Sequence, residues 1–513
     1  MKYISFVAVI LTLLFPSVSL GDFDPDQIIE VRIDNINRND LPRLTQMGAD
    51  IDRVWKHSVR AFIRSDRLDE FKRMGYAVTV IPKPKTLRGN DGYHTHTTLT
   101  DELKAVEAAH PGLCRLYNIG SSVKGMELWF MKLSENVDIK NDKPKFVYIA
   151  AIHGNEPVGT ELCIKLIHLL TDGYGTDPEI TKLMKNIEIW IMPMMNPDGY
   201  MSSSRYNAQG KDLNRSFPDR VTDPVNTTGG RPIETQVIMN WYFTHSPALS
   251  ASFHTGAQVV VYPYDSDPDS NALYSLTPDN ELFRQLAMTY SSLNPSIFKS
   301  TEFSQGIING LEWYPVYGGM QDWNYIWMGC NQITIELSDT FIPAYSMIPA
   351  IWENNRDAML SYMKWSLKGI RGIVTDSSTG TPIRAAIRVE GIDHDVYADS
   401  EMGDYHRIIL PGTYSIRFSA DGYVSRSVSN VAVSSGDAIR LDISLSAVEP
   451  GDINGDGAVD LKDAIAALRV LSGIGVSFHL HTKADVSGDG KIGLEEVIYV
   501  LQTCTKNIRE QNR

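Results

Sequence analysis

The chain has 513 residues, 43% of them hydrophobic and 21% charged, with a formal net charge of -14. That length exceeds one ordinary core and that composition lies near globular averages, so several folded domains are expected and neither a disordered nor a membrane-embedded chain. The acidic balance argues against non-specific binding to nucleic acid, which needs clustered Lys and Arg.

Residues 1–21 carry Lys2, an apolar run from Ile4 to Phe15, and small residues Ser19 and Gly21 placed for cleavage. The run is too short for a membrane span, so a secretory signal and an extracellular, periplasmic or cell-surface location are expected. No later run is long enough to span. Residues 22–92 alternate strand-like and helix-like segments ("IIEVRID", "DLPRLTQMGA", "SVRAFIR", "DRLDEFKRMG", "AVTVIPK") and predict a small α/β domain. It ends in the polar stretch "KPKTLRGNDG", an exposed linker by composition, and a pro-domain role would fit it.

From 93 to 367, β-rich apolar runs alternate with amphipathic helical stretches, the pattern of an α/β domain with a buried sheet. "KFVYIAAI" precedes His153, "IEIWIMPM" precedes Asn196, "ALSASF" precedes His254, and "QITIEL" contains Glu336. Ligand sites of open α/β sheets lie at the carboxyl ends of strands, so these runs can deliver polar groups to one crevice. Residues 368–446 change to short alternating runs between Gly, Pro, Asp and Ser turns, which predicts a small β-sandwich. In 447–513, "DINGDGAVDLKD" at 452 recurs as "DVSGDGKIGLEE" at 485, a period of 33 residues. Cys114, Cys163, Cys330 and Cys504 follow no framework spacing, and no disulfide is assigned.

"HGNE", His153 to Glu156, offers a His and a carboxylate three apart, which suits zinc. Alone it means little, since such a pair is expected about 1.5 times by chance in this composition. It is accompanied in order by "NPDGY" at 196, "SRYNAQGKDLNRSFP" from 204, "SFHTGA" at 252, "YPVYGGMQDWNY" at 314 and "ITIELSD" at 333. With these blocks the sequence resembles the zinc metallocarboxypeptidases, in particular the regulatory subfamily of carboxypeptidases N, E, M and D. That subfamily also carries a transthyretin-like sandwich behind its catalytic domain. The resemblance covers about 93 to 446 and implies a mixed central sheet.

Block by block, the resemblance implies zinc held by His153, Glu156 and His254 with a fourth position open, Glu336 as general base, and Arg205 stabilising the oxyanion. Arg215 matches the receptor of a free terminal carboxylate, for which a planar guanidinium is suited. Asn214 and Tyr314 match further contacts to the substrate terminus. Asp265 and Gln321 match positions the subfamily associates with basic C-terminal residues. Thr255 and Ser216 depart from the usual Gly and Asn. His94 and His96, in a polar loop, and His168 and His245, on helical patterns, are left outside the site.

In the 33-residue repeat, oxygen donors recur at the spacing calcium requires. The first copy offers Asp452, Asn454, Asp456, the Ala458 carbonyl, Asp460 and Asp463. The second offers Asp485, Ser487, Asp489, the Lys491 carbonyl and Glu496, with Gly493 supplying no side chain. Paired loops of this kind resemble a type I dockerin, which implies a small α-helical module, two structural Ca2+ ions and a cohesin-like protein partner. The expected function is removal of C-terminal residues from peptides or proteins, with a basic preference. Two alternatives are a cell-wall stem-peptide peptidase of the same fold and a binding protein on a catalytically dead scaffold.

Overall fold

Two kinds of apolar pattern build two kinds of sheet in this chain. The computed structural model describes residues 27–82, 92–476 and 480–511; the expected signal and almost all of the linker stretch lie outside the described residues. Residues 27–82 form an antiparallel sheet in the order Asp50–Trp55, Ser58–Arg64, Ile28–Asp34, Ala77–Ile81, with short helices Leu41–Gln46 and Leu68–Arg73. Its strand Ile28–Asp34 alternates. In "IIEVRID" the buried residues are Ile29, Val31 and Ile33, which leaves every second side chain to water.

The second unit holds an eight-stranded mixed sheet in the order Ile307–Asn309, Gln258–Tyr262, Asn331–Leu337, Leu249–His254, Lys145–Ala150, Glu188–Met192, Glu127–Leu133, Cys114–Ser121. The four central strands, Asn331–Leu337 through Glu188–Met192, run parallel. They are buried along almost their whole length because both faces are covered, although Ser250, Ser252, Gln332 and Thr334 interrupt the apolar run in two of them. Phe146, Tyr148 and Ala150 pack with Leu162 and Leu166 of helix Val158–Gly173 and with Met359 of helix Ile348–Met363. Val147 and Ile149 face the opposite way, toward Ile238 and Met239 of helix Ile233–His245 and Trp323 of helix Met320–Met328. His96 departs from the loop expectation: Thr95 caps and opens helix His96–Ala109, of which His96 is the first residue.

Behind the large sheet, one small sheet joins Asp404–Arg407, Ile370–Asp376 and Ile439–Arg440, with Ile443–Leu445 also on Ile370–Asp376. A second runs Asp395–Tyr397, Ala386–Val389, Gly412–Ser419, Arg426–Val433. The two enclose a core including Val374, Ile387, Ile416 and Phe418. Residues beyond 446 hold helices Leu461–Leu471 and Leu494–Gln511, packed through Ala464, Ala467, Val497 and Val500. All four cysteines are free, and no helix among the described residues is long and apolar enough to cross a membrane.

Candidate metal centre

The carboxyl ends of the parallel strands carry the polar groups. The chain leaves Lys145–Ala150 through Ala151, at φ 51°, and turns at Gly154 before helix Val158–Gly173. A side chain at 154 would place its Cβ 2.0 Å from the Gly199 carbonyl carbon, so this turn needs glycine. The turn aims His153 and Glu156 at His254, the last residue of its strand.

His153 Nδ1 is 2.8 Å from Glu156 Oε1, His254 Nδ1 is 3.0 Å from Glu156 Oε2, and the two Nδ1 atoms are 3.2 Å apart. Tetrahedral zinc with bonds of about 2.0–2.1 Å has ligand–ligand edges of about 3.3 Å, so this spacing fits zinc. All three residues are buried, and two imidazole nitrogens turned toward one carboxylate form the donor set a divalent cation satisfies. Burial holds His254 below its usual imidazole range. Burial also opposes ionisation of Glu156, but the facing imidazoles outweigh it and hold its carboxyl below the carboxylate range.

Asp212 belongs to this centre, and the sequence reading did not single it out. Its Oδ1 lies 3.1 Å from His153 Nε2, and its Oδ2 accepts from Arg205 Nε at 2.9 Å. A carboxylate on Nε2 keeps the proton there and leaves the Nδ1 lone pair for a metal. Its one sequence signal is its place two residues before Asn214, whose backbone N–H it accepts at 2.8 Å. Arg205 is buried with its Nη1 3.2 Å from His153 Nδ1 and 3.8 Å from Glu156 Oε1, a cation at the edge of the donor set. Glu336, also buried, sits beside His254 in the parallel register. Thr255 donates its backbone N–H to Glu156 Oε2 at 3.2 Å and its hydroxyl to the Phe341 carbonyl, a use for the side chain that departs from the subfamily.

A second group of residues is laced to the first through Asp212. Asn214 Oδ1 accepts from the Met320 backbone N–H at 3.0 Å, and Arg215 Nη1 donates to the Asn214 carbonyl at 3.1 Å. Next to Met320, Gln321 donates from Nε2 to Asp265 Oδ1 at 2.9 Å, and the Asp265 N–H is held by both oxygens of Asp322 at 3.0 and 2.9 Å. Asp265 is buried. Burial pushes its carboxyl up to about 7, with Arg215 pulling it down and Asp219 pushing it further up. Gly310 lies so close to Asp265 Oδ1 that a Cβ would stand 1.8 Å from it. Tyr314 follows the short helix Gly310–Trp313 and is buried, its ring edge-on to Trp313 at 4.8 Å. Ser216 spends its hydroxyl on the Asp212 carbonyl at 2.6 Å.

His94, His168 and His245 stand apart from this constellation. His94 bridges Glu161 at 3.0 Å and Glu102 at 2.8 Å, and Glu102 also holds His168 at 2.8 Å. His245 is stacked on Trp241 with ring centroids 4.3 Å apart.

An α/β sheet that brings two imidazoles and a carboxylate to one point at its carboxyl edge, backed by a buried aspartate, defines a metal-dependent hydrolase. The zinc carboxypeptidase family profile matches residues 99–358, and the carboxypeptidase regulatory-like domain profile matches residues 369–446. The chain belongs to the zinc carboxypeptidase family, a family of peptide hydrolases. It is 39% identical to human carboxypeptidase D over 383 residues, covering 70% of this chain and 27% of that protein. To carboxypeptidase SOL1 of Arabidopsis thaliana it is 39% identical over 337 residues, covering 65% of this chain and 69% of the relative. To mouse carboxypeptidase M it is 38% identical over 354 residues, covering 65% and 79%. The chain thus spans only about a quarter of the length of carboxypeptidase D. Among solved structures, carboxypeptidase A from Helicoverpa armigera superposes with a TM-score of 0.53 at 16% identity, over 66% of this chain and 98% of that one. Thrombin-activatable fibrinolysis inhibitor gives 0.52 at 18%, with the same coverage. At such identities these show a shared fold.

Proposed function

We propose that the chain is a secreted zinc metallocarboxypeptidase that hydrolyses the C-terminal peptide bond of peptides or proteins and prefers Lys or Arg at the terminus. The observation that carries this reading is the convergence of His153, Glu156 and His254 at tetrahedral spacing, with Asp212 behind His153. Zinc held there supplies Lewis acidity to a scissile carbonyl and to water. Arg215 binds the free terminal carboxylate through its planar fork, and Asn214 and Tyr314 help position it. The Arg205 guanidinium offers positive charge where an oxyanion develops. Glu336 takes a proton from the attacking water and returns it to the leaving nitrogen. Asp265 and Gln321 receive the basic side chain. Release of the last residue from a panel of C-terminally varied peptides, with and without a chelator, tests the reading: loss of activity on chelation and a rank order led by Arg and Lys support it.

The C-terminal repeat is read as a calcium module that docks on a cohesin-like protein. Asp463 Oδ1 accepts the N–H groups of Ile453 and Asn454 at 2.8 and 3.0 Å, and Glu496 Oε1 accepts those of Val486 and Ser487 at 3.2 and 3.3 Å. The twelfth position of both copies thus closes its loop in the same way, and Asp452, Asp463 and Glu496 are buried carboxylates that suit a hard cation. Asp456 and Asp460 lie nearer the surface, where Lys462 Nζ stands 2.8 and 3.5 Å from them. Calorimetric titration of the calcium-depleted chain tests this; two binding events support it and none would remove it.

A further inference from the structure

The helix Met320–Met328 is held at both ends, and the two anchors belong to different domains. At its start, Gln321 donates to Asp265 Oδ1 at 2.9 Å and Asp322 receives the Asp265 N–H. One turn further, on the same face, Tyr325 donates its hydroxyl to Asp279 Oδ2 at 2.8 Å. The two Asp279 oxygens also accept from Arg407 Nη2 at 2.8 and 2.9 Å. Arg407 comes from the sandwich strand Asp404–Arg407, and its side chain is 0% exposed, that of Asp279 2%.

Three further observations bear on this junction. Asp279 occupies the N-cap position of helix Asn280–Ser292, yet its side chain makes no cap bond: it is committed to Arg407 and Tyr325 instead. The His394 ring, also from the sandwich, stacks on Tyr325 with centroids 3.9 Å apart and planes at 21°. Gly329, at φ 66° beyond the helix end, lies so near the Asp395–Val396 backbone that a Cβ would be 3.0 Å from it. The sandwich therefore grips the far end of the helix whose near end builds the Asp265 pocket.

A fully buried ion pair adds little net stability over apolar packing of the same volume, because desolvation offsets the attraction. What it does supply is a defined geometry, since neither partner can move without leaving the other charge unpaired. We propose that Arg407 is a positioning residue for the selectivity pocket: through Asp279 and Tyr325 it fixes the helix Met320–Met328, and with it the placement of Gln321 and Asp322 around Asp265. The sandwich is then a working part of substrate choice. This inference rests on the reading of Asp265 as the floor of the pocket.

The test uses the full chain loaded with zinc, with kcat and KM measured on matched peptides ending in Arg and in Leu, and Tm recorded for each variant. Arg407→Met combined with Asp279→Asn removes both charges without leaving one buried and unpaired. It is expected to lower kcat/KM for the Arg-ended peptide about tenfold, mainly through KM, and to change the Leu-ended value by less than about twofold. Tyr325→Phe keeps the ring and loses one bond, with an expected loss of about threefold on the Arg-ended peptide alone. Arg407→Lys, which keeps the charge, restores most of the preference. Equal losses on both peptides, or an unchanged Arg-to-Leu ratio in the paired variant or in Tyr325→Phe, would overturn the inference, as would an Arg407→Lys variant that loses the preference as fully as the paired one; if the paired variant does not fold, Tyr325→Phe decides it by the same ratio. A parent that shows no preference for Arg over Leu overturns the pocket reading itself, and the inference with it, before any variant is compared.

Discussion

The metal centre and the paired acidic loops both gather carboxylates away from water, and they do so by opposite routes. His153 and His254 are 101 residues apart and meet only because two parallel strands end side by side, with Asp212 from a third segment behind them. In the first loop, Asp452 and Asp463 are held by backbone N–H groups of their own twelve residues, such as Ile453, Asp456 and Gly457. The centre is built by the fold and the loop by local sequence. Losing a metal should then have different consequences: at the centre, activity goes while the sheet remains, and at the loops, order goes while catalysis remains.

The largest effect expected is from Glu336→Gln, which removes the proposed base and no proposed metal ligand. Activity should fall about 10³-fold with zinc content unchanged, checked by kinetics beside metal analysis. Loss of zinc in this variant would instead place Glu336 among the ligands. Asp212→Asn probes how far the fold pre-forms the centre: zinc affinity should weaken about 10- to 100-fold, read by competition with a chelator, because the His153 tautomer is no longer fixed.

A third outcome concerns pH. Burial pushes the Asp265 carboxyl up to about 7, against the pull of Arg215 and with the push of Asp219. Below that pH the pocket floor is neutral and above it is anionic, so the Arg-to-Leu ratio in kcat/KM should rise as pH increases through about 7, by about tenfold overall. The stability contribution has the opposite sign. A raised folded-state pKa stabilises most fully below the unfolded carboxylate value near 3.8, and that contribution is lost as pH rises through about 7. Asp265→Ala should flatten both profiles. The smallest effect on catalysis is expected from calcium removal: the melting transition of the C-terminal module should drop by about 5 °C or more, seen by calorimetry of the full chain, while hydrolysis stays within about twofold.

What could be read in the sequence follows the same division. The acidic repeat is contiguous, so its donor spacing is visible without a fold. His254 and Glu336 lie at the end of, or within, buried strand runs, where a polar residue is costly without a partner, and His153 and Glu156 stand together in "HGNE" just after such a run, a pair whose role the ordered family blocks imply. Asp212 did not, since it is one of 62 acids and lies in a loop with no periodicity to mark it. The strand Arg426–Val433 escaped because "RSVSNVAV" is polar over its first half and buries only Val431 and Val433. The Arg407–Asp279 pair, 128 residues apart and on different domains, left no sequence signal at all.

The account turns on whether this centre, with Arg215 beside it, removes residues from a free C-terminus. The most direct measurement compares two peptides ending in Arg, one with a free terminal carboxylate and one amidated, incubated with the zinc-loaded and the chelator-treated chain. Release of arginine from the free peptide alone, and only with zinc present, is the predicted result. Equal cleavage of the amidated peptide, or full activity in the metal-free chain, would contradict it.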